Sequence, residues 1–413
     1  MSRKKSIRYA GAFLLTAAAG GAGAVPFSSF DARSYAMGGA GVAAGTAANA
    51  VFMNPAFLAH EAGKDAYRLE LPVVGGRVTD PGKLSDDIDE FNEVEPVGVF
   101  QGAVNAYNAT PNAGTAAGVQ AAGTQLIDQL QNISGETLSA EADLGFVVGI
   151  PHPKYGLAVY VNANVVGGAV GEASDDDVAA IQQAMDDAQN LQPVVDPSGT
   201  LTSTVSARFS RLTEVGVAIA REFDVLGGLS VGITPKIVAV RTYDFRFVGS
   251  EIDTAEVSLS DSQQDDVGIN LDVGLAKEYE NGWKLGLVVR NLIPQDYETV
   301  LGNEFKLEPL ARAGVAYTDS CLTAVADLDL TENDSSGYEP KTRYASLGAE
   351  LYLFEIARLR LGYRHNLSDV PADIETDILM AGLGFTTFGA QVDLAVAGNG
   401  DEFGAALQLG FRF

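Results

Sequence analysis

The last eleven residues of the chain alternate between apolar side chains and small or polar ones. The apolar odd positions are Phe403, Ala405, Leu407, Leu409, Phe411 and Phe413. A period of two with one apolar face predicts a β-strand. Eleven residues also match the length of a tilted strand that crosses a membrane. Because the last strand of a soluble sandwich has the same pattern, the rest of the chain has to decide between the two.

Thirteen further segments upstream alternate in the same way, and with residues 402–413 they predict fourteen strands. They are residues 67–75, 142–151, 155–166, 203–222, 228–247, 266–280, 282–292, 310–319, 321–330, 342–354, 357–366, 374–386 and 388–397. In the first of these, Tyr67, Leu69, Leu71 and Val73 share one side. An even number of antiparallel strands is expected of a single-chain bacterial outer-membrane barrel. Pro235, within the fifth segment, predicts either a kink or an ordinary break.

The connections between these segments alternate between short turns and long loops. The long ones are residues 76–141, 167–202, 248–265, 293–309 and 331–341. Short periplasmic turns opposite long outer loops are typical of outer-membrane barrels. A soluble sandwich has no reason to keep this parity, which also places the C-terminus on the periplasmic side.

The two faces of the predicted strands differ in polarity. The inward face carries Glu214, Asp272, Lys284, Arg290, Arg312, Asp327, Asp329, Glu350, Arg358, Arg360, Arg364, Asp393 and Arg412. Near the short turns lie Tyr155, Tyr279, Trp283, Tyr317, Phe354 and Phe388, as a periplasmic aromatic girdle would. Charges of both signs cannot face lipid. They predict a lumen filled by a plug and ion pairs rather than a wide pore.

The N-terminus has the layout of a secretory signal peptide over residues 1–24. Four basic residues precede a short apolar stretch, residues 9–19, and Ala22-Gly23-Ala24 supplies the cleavage site before Val25. Since no later apolar run approaches 18 residues, the sequence predicts no membrane-spanning helix. We therefore expect an exported protein of the bacterial outer membrane.

Composition narrows the function classes further. The net charge of −27 argues against nucleic-acid binding, which rests on Lys and Arg meeting phosphates. Cys321 is the only cysteine, so no disulfide forms within the chain, and we expect an unreactive strand-end thiol. The three histidines, His60, His152 and His365, have no metal-site spacing. His365 could meet Ser368 or Asp369, which lie close to it in the sequence, but such proximity in a loop is common and gives only weak support for a catalytic site. We expect no metal, no cofactor and no enzyme activity.

The two longest loops are acidic. Their carboxylates include Asp86, Asp87, Asp89, Glu90, Glu93 and Glu95 in the first loop and Asp175, Asp176, Asp177, Asp186 and Asp187 in the second. A solvated surface explains them; an alternative is that divalent cations bridge them to lipopolysaccharide phosphates. Residues 175–191 also have helical spacing, with Ser174 as an N-cap.

A stretch of small residues follows the leader. It holds Gly38, Gly39 and Gly41 and is followed by Asn54-Pro55-Ala56. Gly39-x-Gly41-x-x-Ala44 also fits the loose dinucleotide fingerprint, but a signal peptide precedes it and no parallel βαβ pattern follows. The segment resembles the opening of the long-chain fatty-acid transporter (FadL-like) outer-membrane superfamily, closest to its TraF-like conjugal-transfer group.

This resemblance implies an all-β fold, a 14-stranded antiparallel transmembrane β-barrel over residues 66–413, with a plug, or hatch, over residues 25–65 and short helices in the outer loops. It implies that Asn54, Pro55 and Ala56 hold the turn toward the first strand. The final strand resembles the one that the barrel-assembly machinery recognises, through Phe403, Leu407, Leu409, Phe411 and Phe413. Outer-membrane lipid and lipopolysaccharide would surround such a barrel.

The resemblance also implies the function, which is passive uptake of a hydrophobic small molecule through the plugged barrel. The alternative is an outer-membrane component or assembly partner of a conjugal-transfer or secretion apparatus, whose partners would be other transfer proteins. The charged lumen weighs against the first, because a greasy ligand needs an apolar cavity.

Overall fold

The computed structural model describes residues 30–64, 66–249, 261–333, 338, 341–354, 356–370 and 375–413. The predicted signal peptide, residues 1–24, lies outside the described residues. In the described chain the protein is an all-β, closed antiparallel barrel of fourteen strands, as the sequence predicted.

The strands of the barrel differ in height. They are β1 (Arg68–Thr79), β2 (Thr137–Ile150), β3 (Gly156–Glu172), β4 (Thr204–Phe223), β5 (Leu229–Val248), β6 (Gln263–Glu278), β7 (Trp283–Arg290), β10 (Leu310–Thr318), β11 (Leu322–Asp329), β12 (Tyr344–Leu353), β13 (Ala357–Asn366), β14 (Asp377–Thr387), β15 (Ala390–Gly398) and β16 (Glu402–Arg412). A separate hairpin, β8 (Gln295–Glu298) and β9 (Glu304–Leu307), interrupts the series between β7 and β10. Each strand pairs with its neighbour in this series, and β1 closes the barrel against β16.

All fourteen predicted strands are present, and the two longest predicted segments, residues 203–222 and 228–247, are the two longest strands, but the shortness of β7 and β11 was not predicted. Strands β4 and β5 have 20 residues each, whereas β7 and β11 have 8. A membrane strand needs about 9–11 residues. The wall from β2 to β6 therefore rises beyond the bilayer on the side of the long loops. The hairpin β8–β9 was also not predicted, since each of its strands has only four residues.

Strand β1 changes faces partway along its length. Its pairing with both neighbours shifts between Glu70 and Val73, and both of these side chains are buried in the barrel. The prediction that Val73 shares a side with Leu69 and Leu71 was therefore wrong. Pro72 lies in the shift, and a residue that cannot donate a ladder hydrogen bond is usually placed at such a bulge. At Pro235 in β5 the pairing with β4 is interrupted, yet Thr234 and Lys236 both still face inward.

Helices occupy both the N-terminal segment and the two longest loops. They are α1 (Ala32–Ala36), α2 (Ala50–Met53), a 3-10 helix (Pro55–Glu61), α3 (Leu84–Val94), α4 (Pro96–Ala109), α5 (Ala113–Ile133), α6 (Asp175–Gln189) and a 3-10 turn (Ser198–Thr200). The predicted helix after Ser174 is confirmed as α6, and the expected short helices in the outer loops are confirmed, although the positions of α3, α4 and α5 were not predicted. None of the described helices has the length and apolar character needed to cross a membrane.

Helices α3 to α6 form a cap with an apolar core of its own. Phe100, Leu126 and Ile181 are fully buried in it. Leu138 of β2 belongs to this core, and Ala169 of β3 and Val205 of β4 pack against it. Along each of these strands, alternation places that residue on the face opposite to the lumen. The cap therefore covers the outside of the tall wall, above the membrane.

The N-terminal segment lies inside the barrel. Almost every side chain from Phe30 to Ala59 is buried. Helix α1 packs against β13 to β16, and the 3-10 helix Pro55–Glu61 packs against β3 to β6. Residues 30–61, which we call the plug, therefore run around the inner wall and close the lumen.

The wall carries glycine where the plug passes. A Cβ atom at any of ten strand glycines would fall on plug atoms: these are Gly75, Gly145, Gly156, Gly232, Gly274, Gly286, Gly348, Gly362, Gly382 and Gly404. At Gly286 the obstructing atoms belong to the backbone of Val42 and Ala43. Because a backbone carbonyl cannot rotate away as a side chain can, even one methyl group there requires the plug to move.

We expect Gly286→Ala to loosen the plug and destabilise the barrel. Forcing an extra carbon into a packed interior costs about 1–3 kcal/mol. The urea midpoint of the vesicle-embedded protein, followed by heat-modifiable gel mobility, should fall accordingly. Gly102→Ala in α4 is the control, because no atom lies within 4 Å of the Cβ position there. Equal midpoints for the two variants would contradict the proposed contact.

Candidate functional site

The plug and the wall that holds it are the candidate functional site. Helix α1 ends in a turn at Gly38 and Gly39, whose φ angles are both +78°, a region that favours glycine. The backbone N–H of Gly39 donates to the carbonyl of Ser34 over 2.9 Å. At Gly38 a Cβ atom would lie 2.8 Å from the carbonyl oxygen of Leu347 in β12. The two predicted glycines thus form the turn that lets the plug lie against the wall.

Side chains of the wall bind the plug backbone after this turn. Asp327 accepts hydrogen bonds from the N–H groups of Gly41, over 2.7 Å, and Val42, over 2.9 Å. Arg312 donates to the carbonyl of Gly39 over 3.0 Å and pairs with Asp329 over 2.5 Å. The sequence predicted that Arg312, Asp327 and Asp329 face inward, and the structure shows what they hold.

Asn54, Pro55 and Ala56 lie where the plug meets β5 and β6. The amide of Asn54 donates to the carbonyls of Val42, over 2.9 Å, and Leu275, over 3.0 Å. Its side-chain oxygen accepts from the N–H of Ala56 and so caps the 3-10 helix that Pro55 begins. A single side chain therefore joins two parts of the plug to the wall.

A buried chain of charges fixes the start of the plug. Arg33 pairs with Glu350 of β12 over 2.8 Å and donates to the carbonyl of Ala44 over 2.6 Å. Glu350 also pairs with Arg360, which in turn pairs with Asp393, both over 2.6 Å. The inward positions of Glu350, Arg360 and Asp393 were predicted from the sequence, but no role was predicted for Arg33. The feature that could have indicated a role for Arg33 is that it is a lone basic residue within a stretch of small and apolar residues.

On the opposite wall Lys236 lies between two carboxylates. Its ammonium is 2.8 Å from Glu214 and 2.9 Å from Asp272. Tyr160 also donates to Glu214 over 3.3 Å. Of the predicted inward charges, Lys284, Arg290 and Arg358 are partly exposed and Arg412 is exposed near the barrel's lower rim. The remaining nine are buried, as a plugged and ion-paired lumen requires.

The hairpin β8–β9 folds into the outer mouth of the lumen. Its tip is held by Asp244 of β5, which accepts from Thr299 over 2.7 Å and Asn303 over 2.8 Å. Tyr297 and Phe305 of the hairpin are buried with their rings 5.7 Å apart. Burial raises the pKa of Tyr297 to about 12, with the nearby Asp266 carboxylate adding to the shift. Its phenol is therefore neutral at physiological pH.

The final strand seals the barrel. Phe403, Leu407, Leu409, Phe411 and Phe413 lie on the outward face at β16, and Phe403 and Phe413 are the most exposed of them. The C-terminal Phe413 and Tyr67 exchange backbone hydrogen bonds of 2.8 and 3.1 Å. Of the predicted girdle, Tyr279, Trp283, Phe354 and Phe388 are exposed near the short turns, while Tyr155 and Tyr317 are half-buried.

Most of the predicted loop carboxylates lie on exposed parts of α3 and α6, but Asp177 is buried. It accepts hydrogen bonds from the backbone N–H groups of Thr202, over 2.8 Å, and Ser203, over 2.6 Å. Burial would raise the pKa of Asp177, but these bonds and those from the two hydroxyl groups hold it below its ordinary value. Among the described residues, no group of three or more His, Cys, Asp or Glu side chains could hold a metal ion.

The remaining candidate chemistry is sparse. Asp377, rather than the expected Ser368 or Asp369, is the partner of His365, at 2.7 Å on the exposed surface. The Asp319 carboxylate beside Cys321, through its hydrogen bond and its charge, raises the pKa of that exposed thiol. A raised pKa leaves less of the nucleophilic thiolate.

This chain matches one protein family model and is similar in fold to several solved structures. A family model described as "F plasmid transfer operon, TraF, protein" matches residues 51–329, more than half of the chain. No curated protein sequence matches. Among solved structures, the Ralstonia pickettii toluene transporter TbuX has 14% identity and a TM-score of 0.53, with 94% of this chain and 99% of that chain covered.

Two further structures match over the same extent. The TodX deltaS2S3 mutant, a monoaromatic hydrocarbon channel of Pseudomonas putida, has 12% identity, a TM-score of 0.51 and coverage of 95% and 98%. A Pseudomonas aeruginosa FadL homologue has 10% identity, a TM-score of 0.44 and coverage of 95% and 99%. TbuX and the TodX mutant are channels or transporters rather than enzymes. The predicted FadL-like barrel is confirmed at the level of the fold.

We expect Glu350→Gln to release the start of the plug. The substitution leaves Arg33 and Arg360 without their shared carboxylate, and breaking a buried pair costs about 3–5 kcal/mol. Proteinase K should then cleave the plug in the folded barrel. Glu304→Gln is the matched control, because its pair with Lys306 is exposed to solvent and contributes little to stability. A plug that stays protected in Glu350→Gln would contradict this role.

The cap should depend on pH through Asp177. Because its folded pKa lies below 3.8, the carboxylate stabilises the cap above that pH, and the stabilisation is lost as the pH falls through the folded value. Asp177→Asn should therefore speed hydrogen exchange in α6 at pH 7, relative to wild type at the same pH. The difference should shrink in strong acid. Asp176→Asn, at an exposed position, should match wild type throughout.

Proposed function

The chain belongs to the family of the F plasmid transfer operon protein TraF, and from that premise we propose that it takes up hydrophobic small molecules passively across the outer membrane. The observation that carries this proposal is the closed lumen. The plug lies against strand glycines and is held by Asp327, Asn54 and Arg33. Passage through such a barrel requires the plug to shift, and the solute has to enter a space that contains few groups able to hydrate it.

The charges of the lumen fit this proposal once their partners are considered. A hydrated solute needs polar groups that are available to it, but Glu350, Arg360 and Asp393 bind each other and the plug. They serve to hold the plug rather than to line a pathway. TbuX and TodX, which share the fold, carry toluene and monoaromatic hydrocarbons by their descriptions. We extend that class of solute to this chain.

In this proposal the chain has three parts. Residues 1–24 direct export and are removed, residues 25–65 form the hatch, and residues 66–413 form the barrel. The barrel-assembly machinery recognises the final strand, with Phe413 at its end. Lipopolysaccharide surrounds the outer half of the wall.

A second candidate function is a part in a conjugal-transfer or secretion apparatus. The family description points to transfer, and the helical cap supplies a surface for it. Helices α3 to α6 build a separate apolar core above the membrane and expose an acidic outer surface. A cap of this size is suited to contact another protein, and the barrel would then serve as its anchor.

A deletion strain and its complemented counterpart distinguish the two functions. Uptake of labelled toluene and long-chain fatty acid should fall on deletion and return on complementation, with mating frequency scored in the same strains. Unchanged uptake with lost mating would reject the transporter and support the transfer role.

A plug fixed to the wall sharpens this test. A Cβ atom at Gly75 would lie 2.9 Å from that of Phe30 and 2.8 Å from the carbonyl oxygen of Ala405, so the strand has to shift slightly to reach the roughly 3.5–4.5 Å between the Cβ atoms of a relaxed disulfide. With Phe30→Cys and Gly75→Cys introduced into a Cys321→Ser chain, oxidation should stop uptake and a reductant should restore it. Each single cysteine variant controls for the substitutions. Full uptake by the oxidised protein would mean that this end of the plug does not need to move.

A further inference from the structure

The lumen has an apolar patch that the plug does not cover. Leu212 of β4 and Val238 and Val240 of β5 are each at most 2% exposed. Alternation along the strands places them on the same face as Glu214 and Lys236, which is the lumen. Among the described residues, no plug side chain belongs to the apolar cluster that these three form.

The hairpin β8–β9 covers this patch instead. Tyr297, Phe305 and Leu307 pack in the same cluster and are at most 6% exposed. The hairpin thus brings two aromatic rings and a branched aliphatic group to the patch. These side chains show which chemistry fits there, namely uncharged rings of about the size of a substituted benzene.

The hairpin is attached to the barrel more weakly than any wall strand. In the described chain β8 and β9 pair only with each other, over four residues each. An isolated two-stranded hairpin is marginally stable in water. Besides the apolar contacts it is held by four side-chain hydrogen bonds, from Thr242 to the carbonyl of Glu298, from Gln295 to the carbonyl of Ile269 in β6, and from Thr299 and Asn303 to Asp244. Pro294 and Pro309 lie in its two connections to the barrel.

We propose that Leu212, Val238 and Val240 form a binding site for an aromatic hydrocarbon, which takes the place of Tyr297 and Phe305 when the hairpin leaves the mouth. This inference rests on the proposed uptake function and adds where the solute first binds. Apolar surface is buried in both states, so the ligand replaces the hairpin without leaving the patch exposed to water. The polar bonds of the tip are exchanged for bonds to water.

Exposure of the hairpin to a thiol reagent tests this site. Leu307→Cys in a Cys321→Ser chain places one thiol at a position that is 2% exposed. In vesicle-reconstituted protein this thiol should react slowly with a maleimide. Saturating toluene should raise the rate at least tenfold, because toluene displaces the hairpin and the thiol reaches water. An unchanged rate would overturn the proposal.

Two control cysteines separate displacement from general loosening. Leu301→Cys lies near the hairpin tip at a position that is 55% exposed, and should react rapidly with or without toluene. Val325→Cys is buried where the plug meets β11 and should react slowly in both conditions. An equal acceleration of Val325→Cys and Leu307→Cys would mean that toluene loosens the whole barrel, and would overturn the site.

Two further variants act on the patch and on the tip. Val240→Thr keeps the shape of the side chain but adds a hydroxyl, so the effect of toluene on Leu307→Cys should weaken severalfold. Asp244→Asn should raise the labelling rate of Leu307→Cys without toluene, because the tip loses a charged acceptor. If neither variant changes the labelling, the hairpin does not exchange with a ligand at this patch.

Tryptophan fluorescence can replace the maleimide labelling if the Leu307→Cys variant does not fold. Trp283 is the only tryptophan, so Tyr297→Trp with Trp283→Phe gives a single reporter on the hairpin. Toluene should shift its emission to the red as the indole enters water, whereas a fixed emission would count against displacement. These readouts do not depend on transport. Displacement without toluene uptake in cells would keep the site and reject the uptake function, and uptake without displacement would do the reverse.

Discussion

The contact between the plug backbone and the barrel wall is the constraint on which the rest of the structure depends. Where the chain passes at van der Waals distance the wall can carry no side chain, so strands on several sides of the lumen have glycine at that height. So close a contact excludes water from the polar groups beside it. Each buried charge must then find a protein partner, because an unpaired buried charge is costly. The pairing of Asp327 with plug N–H groups and of Arg33 with Glu350 follows from this requirement.

Two closures at different heights result from the same fold. The plug closes the lumen through polar contacts, strand glycines and the packing of Phe52, Phe57 and Leu58 against the wall. The hairpin β8–β9 closes the outer mouth, largely through apolar contacts with the tall part of the wall. Both faces of the tall wall are covered. The hairpin packs against its lumen side, and the helical cap packs against its outer side. A barrel with strands of equal height would have neither.

The sequence predicted the barrel well because its pattern is local and repeated. Fourteen alternating segments, an even count and the parity of the loops are each visible along the chain, and so is the turn at Gly38 and Gly39. The contacts of Arg33 and Asp327 could not be predicted from the sequence, because their partners lie about three hundred positions away along the chain. The face of Val73 was wrong because a one-residue shift in register reverses every later side chain. The positions of α4 and α5 were not predicted because many of their residues are Gly, Ala and Asn, which carry little periodic signal, whereas α3 was missed although Leu84, Ile88 and Phe91 have helical spacing.

The choice of polar contacts for the plug bears on how it can move. A hydrogen bond between protein groups contributes only about 0.5–1.5 kcal/mol net, since water replaces the partner when the bond opens. A bond broken without access to water costs far more, because both groups stay buried and unsatisfied. In the proposed uptake, the contacts of Asn54, Asp327 and Glu350 would therefore favour two states of the plug, one fully seated and one in which water has entered with the solute. A plug held by apolar packing alone would yield gradually, whereas these buried polar contacts would make the plug open as a unit.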